Sequence, residues 1–153
     1  MEYLIVKWIH ILSATVIVGV GFGTAFYKWM ADRSGNFQTI VDVSGFVILA
    51  DWWFTTPAIV VQPLSGLYLA SQAGFPITSG WVAWSLVLYV LTGALWIPVV
   101  FLQYRMRRLA ADALSKGTDL PPEYTRRAKQ WVLLGIPAFA AMIGVYALMV
   151  FKP

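Results

Sequence analysis

Four long apolar runs decide what this chain can fold into. A helix needs roughly 20 mostly apolar residues to cross about 30 Å of hydrocarbon, and runs of that kind start near Tyr3, Phe54, Trp81 and Trp131. Charged residues make up 12% of the 153 positions, where an ordinary soluble domain carries about 25%. The pattern predicts an all-α polytopic membrane protein, a four-helix transmembrane bundle that forms one domain over 1–153.

The first helix is expected over about 3–28, closed by the polar turn Asp32-Arg33-Ser34-Gly35-Asn36. It lacks a small-residue cleavage site after a short core, which predicts a retained span and not a removed signal peptide. The second is expected over about 38–72, which at 1.5 Å per residue is about 50 Å of helix and exceeds the bilayer core. Residues 38–50 therefore read as an amphipathic or protruding lead-in, Asp51-Trp52-Trp53 as lying near the headgroups, and 54–71 as the crossing, with a kink from Pro57 and Pro63. The third helix is expected over about 80–114, crossing at about 81–102 and bent at Pro98; the fourth, over about 123–151, follows the Pro121-Pro122 break.

Charge sets the expected orientation. The loop between the third and fourth helices holds Arg105, Arg107, Arg108, Lys116, Arg126, Arg127 and Lys129, whereas the loop between the second and third carries no charge. The positive-inside rule puts the basic loop in the cytoplasm and both termini on the outer, periplasmic side of a bacterial inner membrane. Trp29, Trp52, Trp53 and Trp131 then fall near the inner boundary, and Trp8, Trp81 and Trp84 near the outer one. The net charge of +4 reads as topology and contact with the lipid bilayer, and no nucleic-acid partner is expected.

Small-residue pairs Gly19/Gly23, Gly66/Ala70 and Ala140/Gly144 predict close helix contact, chiefly inside the bundle, with a homo-oligomer face as the sharper alternative. The absence of cysteine excludes disulfides, iron–sulfur clusters and covalently attached haem. No phosphate loop, zinc motif or serine nucleophile motif is present, and no enzymatic activity is assigned.

The only histidine, His10, lies inside the first apolar run in Lys7-Trp8-Ile9-His10-Ile11-Leu12-Ser13-Ala14. An ionisable group at that depth is a functional candidate by default. Neutral imidazole can ligate a haem iron, and the small residues after it leave room for a flat macrocycle; equally, a lone histidine can simply hydrogen-bond a neighbouring helix. With no second histidine, bis-histidine ligation within one chain is excluded, and Met149, then Met142, are the candidate second axial ligands by depth, beside water or another subunit's histidine.

Asp51 reads first as the N-cap of the crossing helix and second as a proton-carrying carboxylate. Thr55, Thr56, Gln62 and Ser65 follow it on the same helix, either satisfying backbone groups freed by the prolines or forming a polar path.

The strings Ile9-His10-Ile11-Leu12-Ser13-Ala14, Leu49-Ala50-Asp51-Trp52-Trp53-Phe54-Thr55-Thr56-Pro57, Val61-Gln62-Pro63-Leu64-Ser65-Gly66, Trp96-Ile97-Pro98-Val99-Val100-Phe101-Leu102-Gln103 and Pro137-Ala138-Phe139 resemble a bacterial integral membrane family known as domain of unknown function 2269. The first helix is also similar to that of HemJ-type protoporphyrinogen oxidases and copper-resistance D membrane domains. The HemJ resemblance implies b-type haem held by the histidine that corresponds to His10.

Three functions are therefore expected in order. The first is a membrane protein binding haem b through His10 for electron transfer or a redox step, with a membrane redox partner. The second is a small proton or ion channel or transporter that uses Asp51 and Gln62. The third is a structural or assembly subunit of a larger membrane complex.

Overall fold

The computed structural model describes residues 1–152, with Glu2–Phe151 in helices or the short connections between them. Helices α1 (Glu2–Ser34), α2 (Phe37–Ala50), α3 (Thr56–Gln72), α4 (Gly80–Lys116) and α5 (Pro122–Phe151) run in order, with a single π-helical turn, Asp51–Thr55, joining α2 to α3. Because that turn keeps α2 and α3 in one rod, four helices are long and apolar enough to cross a membrane: Glu2–Ser34, Phe37–Gln72, Gly80–Lys116 and Pro122–Phe151. The four-span architecture read from the apolar runs is the one observed.

Helix α1 runs past its expected end near Lys28, through Asp32 and Arg33 to Ser34. The polar residues that looked like a loop are instead satisfied inside the fold. Lys28, 1% exposed, donates to Asp32 one turn on and to Tyr124 Oη on α5 at 2.7 Å, while Tyr124 Oη donates to Asp32 Oδ1 at 2.5 Å. A buried ammonium is tolerable only when paired and hydrogen-bonded, and this triad does both. The helix stops at Gly35, whose left-handed φ of 66° is a conformation that glycine adopts without strain. The Asn36 side chain then caps α2 by accepting from the Thr39 amide at 3.0 Å.

The best-sealed core lies at this basic end of the molecule. Ala31 of α1, Ile40 of α2, Met106 and Ala110 of α4, and Tyr124 of α5 pack together, with Leu120, Ala128 and Trp131 against them. Helix α4 is 37 residues long, about 55 Å at 1.5 Å per residue, so its second half extends well past the hydrocarbon. Outside the lipid an apolar side chain gains from burial in protein, which is why the core concentrates there. Within the hydrocarbon the outward faces meet lipid, and Phe22, Phe46, Leu64, Val90, Phe101 and Leu133 remain exposed.

Towards the opposite end α1 packs on α3 and α4 packs on α5. Two glycines carry these contacts. A Cβ at Gly66 would lie 3.1 Å from the His10 ring, and one at Gly144 would lie 3.1 Å from Leu88. By contrast, a Cβ at Gly19 or Gly23 would meet nothing, so that GxxxG pair takes no part in packing within the chain. Trp81, at the first turn of α4, is buried against Phe75, Ala70 and Val82.

Candidate functional site

The rod formed by α2, the π-turn and α3 presents one polar face. Asp51, Thr55, Ala58, Gln62 and Ser65 recur at spacings of four, three, four and three, which is the repeat of a single helix face. Asp51, Thr55, Ala58 and Ser65 are all buried. On α1 the residues His10, Ser13 and Ile17 follow the same spacing. The two helices meet along these faces.

Where they meet near His10, both ring nitrogens are engaged. Nδ1 lies 2.8 Å from Ser65 Oγ and Nε2 lies 3.2 Å from the Gln62 amide nitrogen. The amide can only donate, so Nε2 accepts and the ring proton sits on Nδ1. Nδ1 then donates to Ser65 Oγ, which donates onward to the Val61 carbonyl at 2.7 Å. Ser13 Oγ donates to Gln62 Oε1 and lies 3.0 Å from the carbonyl of His10. This neutral, directionally consistent network has no unused donor or acceptor on the ring.

The arrangement does not fit a haem iron at His10. Either nitrogen would have to give up its partner, and the ring edge is already against Gly66. Met149, with Leu148, packs against the cluster of Ala70, Trp81 and Val82. Among the described residues, no group of three or more histidine, cysteine, aspartate or glutamate side chains is placed to hold a metal ion.

Asp51 is not the cap that its sequence context suggested. Its backbone is right-handed helical, φ −63° and ψ −40°, inside a continuous helix where no first-turn donors await a cap. The cause is Pro57. A proline cannot donate to the residue four before it and crowds that carbonyl, and the backbone widens to the π register just upstream. The Thr56 amide reaches back five residues to the Asp51 carbonyl, and Thr56 Oγ1 donates to the same carbonyl at 2.9 Å. Single π-turns of this kind recur at functional sites.

The Asp51 carboxylate, 6% exposed, accepts from Thr55 Oγ1 at 2.9 Å. Among the described residues it has no cationic partner within salt-bridge distance. Facing it from α4 is Gln103, 5% exposed, whose Oε1 is buried with no hydrogen-bond partner. Gln103 was not singled out in the sequence, although a signal was there: Val99, Gln103, Met106, Ala110 and Ala113 recur at four and three and are the buried face of this part of α4. The cations Arg105 and Arg127 engage Glu123 at 3.2 and 3.5 Å.

The model of a family of predicted integral membrane proteins, DUF2269, matches residues 4–153. The chain belongs to that family. Searches of curated proteins and of solved structures returned no match. For this DUF2269 chain the geometry therefore carries the functional reading: a buried carboxylate at a π-turn, facing α4, and a histidine engaged at both ring nitrogens between α1 and α3.

Proposed function

We propose that this chain is a small proton-conducting channel or transporter, with Asp51 as the carboxylate that takes up and releases the proton. The observation that carries the reading is a set of buried or half-buried polar side chains on one rod: Asp51 and Thr55 at the π-turn, then Gln62 and Ser65 of α3, which meet His10 and Ser13 of α1. Ionisable groups inside a membrane segment are costly and mark ion and proton pathways, and broken spans recur at transporter binding sites. His10, with both ring nitrogens engaged by Ser65 and Gln62, joins such a path only when the Gln62 amide leaves Nε2 to a water molecule. Thr55 and Gln62 are separated by about 10 Å along the axis at 1.5 Å per residue, with the small Ala58 between them, a gap that water molecules would bridge.

In this reading the protein sits in a bacterial inner membrane, with the basic α4–α5 end in the cytoplasm and Asp51 near that side. The test is proton flux into liposomes under an imposed pH gradient, for wild-type protein and Asp51→Asn. Wild-type flux above that of empty liposomes, lost in Asp51→Asn, is the expected result. Equal flux from the two proteins, or none from the wild type, overturns the proposal.

A further inference from the structure

A carboxyl that carries a proton has two forms, and the hydrogen bonds around Asp51 serve the ionised one. Thr55 Oγ1 donates to Oδ1 at 2.9 Å, and the Gln103 side chain, from α4, hydrogen-bonds the same carboxylate. Gln103 Oε1 has no partner, so the end of the amide that meets the carboxylate is Nε2, which can only donate.

The protonated form has the opposite need. Its O–H is a donor, and a buried donor without an acceptor is costly. The other polar groups nearby are committed: Thr56 Oγ1 donates to the Asp51 carbonyl, and Tyr104 Oη accepts from Trp52 Nε1. Among the charged groups, Lys28 of α1 is held by Asp32 and Tyr124, and the Arg107 guanidinium of α4 lies against Gly45 of α2. The buried acceptor without a partner is Gln103 Oε1, on the amide that already touches the carboxylate.

An amide exchanges its two ends by a half-turn about its last bond, a torsion with broad, roughly two-fold wells. Whether it can turn depends on what holds each end. Gln62 is held at both, since Oε1 accepts from Ser13 and Nε2 donates to His10. Gln103 is held at one end, by Asp51, so its half-turn forfeits no second bond.

We propose that Gln103 is the positioning group for the Asp51 proton: its amide donates from Nε2 to the carboxylate and, after a half-turn, accepts at Oε1 from the carboxylic acid. The inference rests on Asp51 being the proton-carrying group. One proton enters from water, binds an Asp51 oxygen and leaves by the reverse step, while Gln103 keeps both of its own amide hydrogens. Each form of Asp51 is then hydrogen-bonded to α4, and neither is left with an unserved group there.

The test is infrared difference spectroscopy of the reconstituted full chain between low and high pH, for wild type, Gln103→Met and Thr55→Val. In the wild type a side-chain amide carbonyl band is expected to shift with the same midpoint as the carboxylic-acid band, because Oε1 gains a hydrogen bond when Asp51 is protonated. Gln103→Met, similar in length but without an amide, is expected to lose that amide signal and to move the acid band to higher wavenumber as the O–H loses its acceptor. A thermal midpoint near that of the wild type shows that the variant is folded, and the wild-type amide band decides without it. An acid band that titrates while no amide band moves in step overturns the half-turn and leaves Asp51 as the proton carrier. An acid band unmoved in a folded Gln103→Met but shifted in Thr55→Val does the same, and makes Thr55 the acceptor. If no acid band titrates in the wild type, the reading of Asp51 falls and the role of Gln103 with it.

Discussion

Gln62 donates its side-chain amide to His10 Nε2 across the α1–α3 interface, at 3.2 Å. The chain's one histidine is thereby fixed as a neutral, Nδ1-protonated imidazole, with Ser65 on its other nitrogen. Chemistry at His10 must work through these partners.

The first consequence is spectroscopic. Protein purified in mild detergent from cells supplied with haem precursor is expected to show no haem Soret band that depends on His10, so wild type and His10→Ala give the same visible spectrum. A band present in the wild type and absent in His10→Ala would show that Gln62 yields its place to iron.

Gly66 and His10 should be strongly coupled. Alanine at 66 gains about 1 kcal/mol of helix propensity, but its Cβ would press on a ring held at both nitrogens, and overpacking costs about 1–3 kcal/mol. Gly66→Ala is expected to lower the thermal midpoint in detergent in the wild-type background and to raise it in a His10→Ala background. Gly19→Ala, facing open space, should be neutral or slightly stabilising in both. Additive effects at positions 10 and 66 would mean that the ring can move aside.

At the basic end, the Lys28–Asp32–Tyr124 triad ties α1 to α5. Asp32→Asn leaves the Lys28 ammonium buried without a counter-charge, a change that costs about 3–5 kcal/mol in fully buried pairs. The Asp32 side chain is 26% exposed, so the lower end of that range or somewhat less is expected. Tyr124→Phe should cost about 1–3 kcal/mol, the loss of a hydroxyl shared by the buried Lys28 and the partly exposed Asp32. Lys28→Met, which removes the charge itself, should be milder than Asp32→Asn. Thermal melts of the three variants give the order, and a Lys28→Met more damaging than Asp32→Asn would contradict it.

What could be read from the sequence divides by the range of the interactions involved. The four spans are local properties of apolar runs, and the runs that start near Tyr3, Phe54, Trp81 and Trp131 each fall in one of the four long helices. Features set by distant partners were not visible. Lys28 and Asp32 looked like the end of a helix because Tyr124, which satisfies both, lies on another span. Asp51 followed by Trp-Trp-Phe-Thr-Thr-Pro looked like a cap because the sequence does not reveal that Pro57 widens the preceding turn instead of ending it. That Thr55, Thr56, Gln62 and Ser65 follow Asp51 on one helix was legible in the sequence; the burial of Asp51, Thr55 and Ser65 was not. The convergence of Gln103 on Asp51 was not, since it depends on how α4 lies against the π-turn.

If His10 relays protons, its replacement should slow flux without abolishing uptake at Asp51. His10→Gln, which keeps donors and an acceptor but cannot exchange tautomers, is expected to fold with a near-normal thermal midpoint and to reduce proton flux in liposomes by about tenfold or more, in the range of a lost proton-transfer group. Flux at the wild-type level in a folded His10→Gln would confine His10 to holding α1 against α3.

The most direct test is infrared difference spectroscopy of the reconstituted protein across a pH titration, wild type against Asp51→Asn. A carboxylic-acid carbonyl band that titrates reversibly in the wild type and is missing from Asp51→Asn is the predicted result, showing that Asp51 exchanges its proton with water. A spectrum in which no carbonyl band titrates, or in which the same band persists in Asp51→Asn, would contradict the assignment of Asp51 as the proton-carrying group.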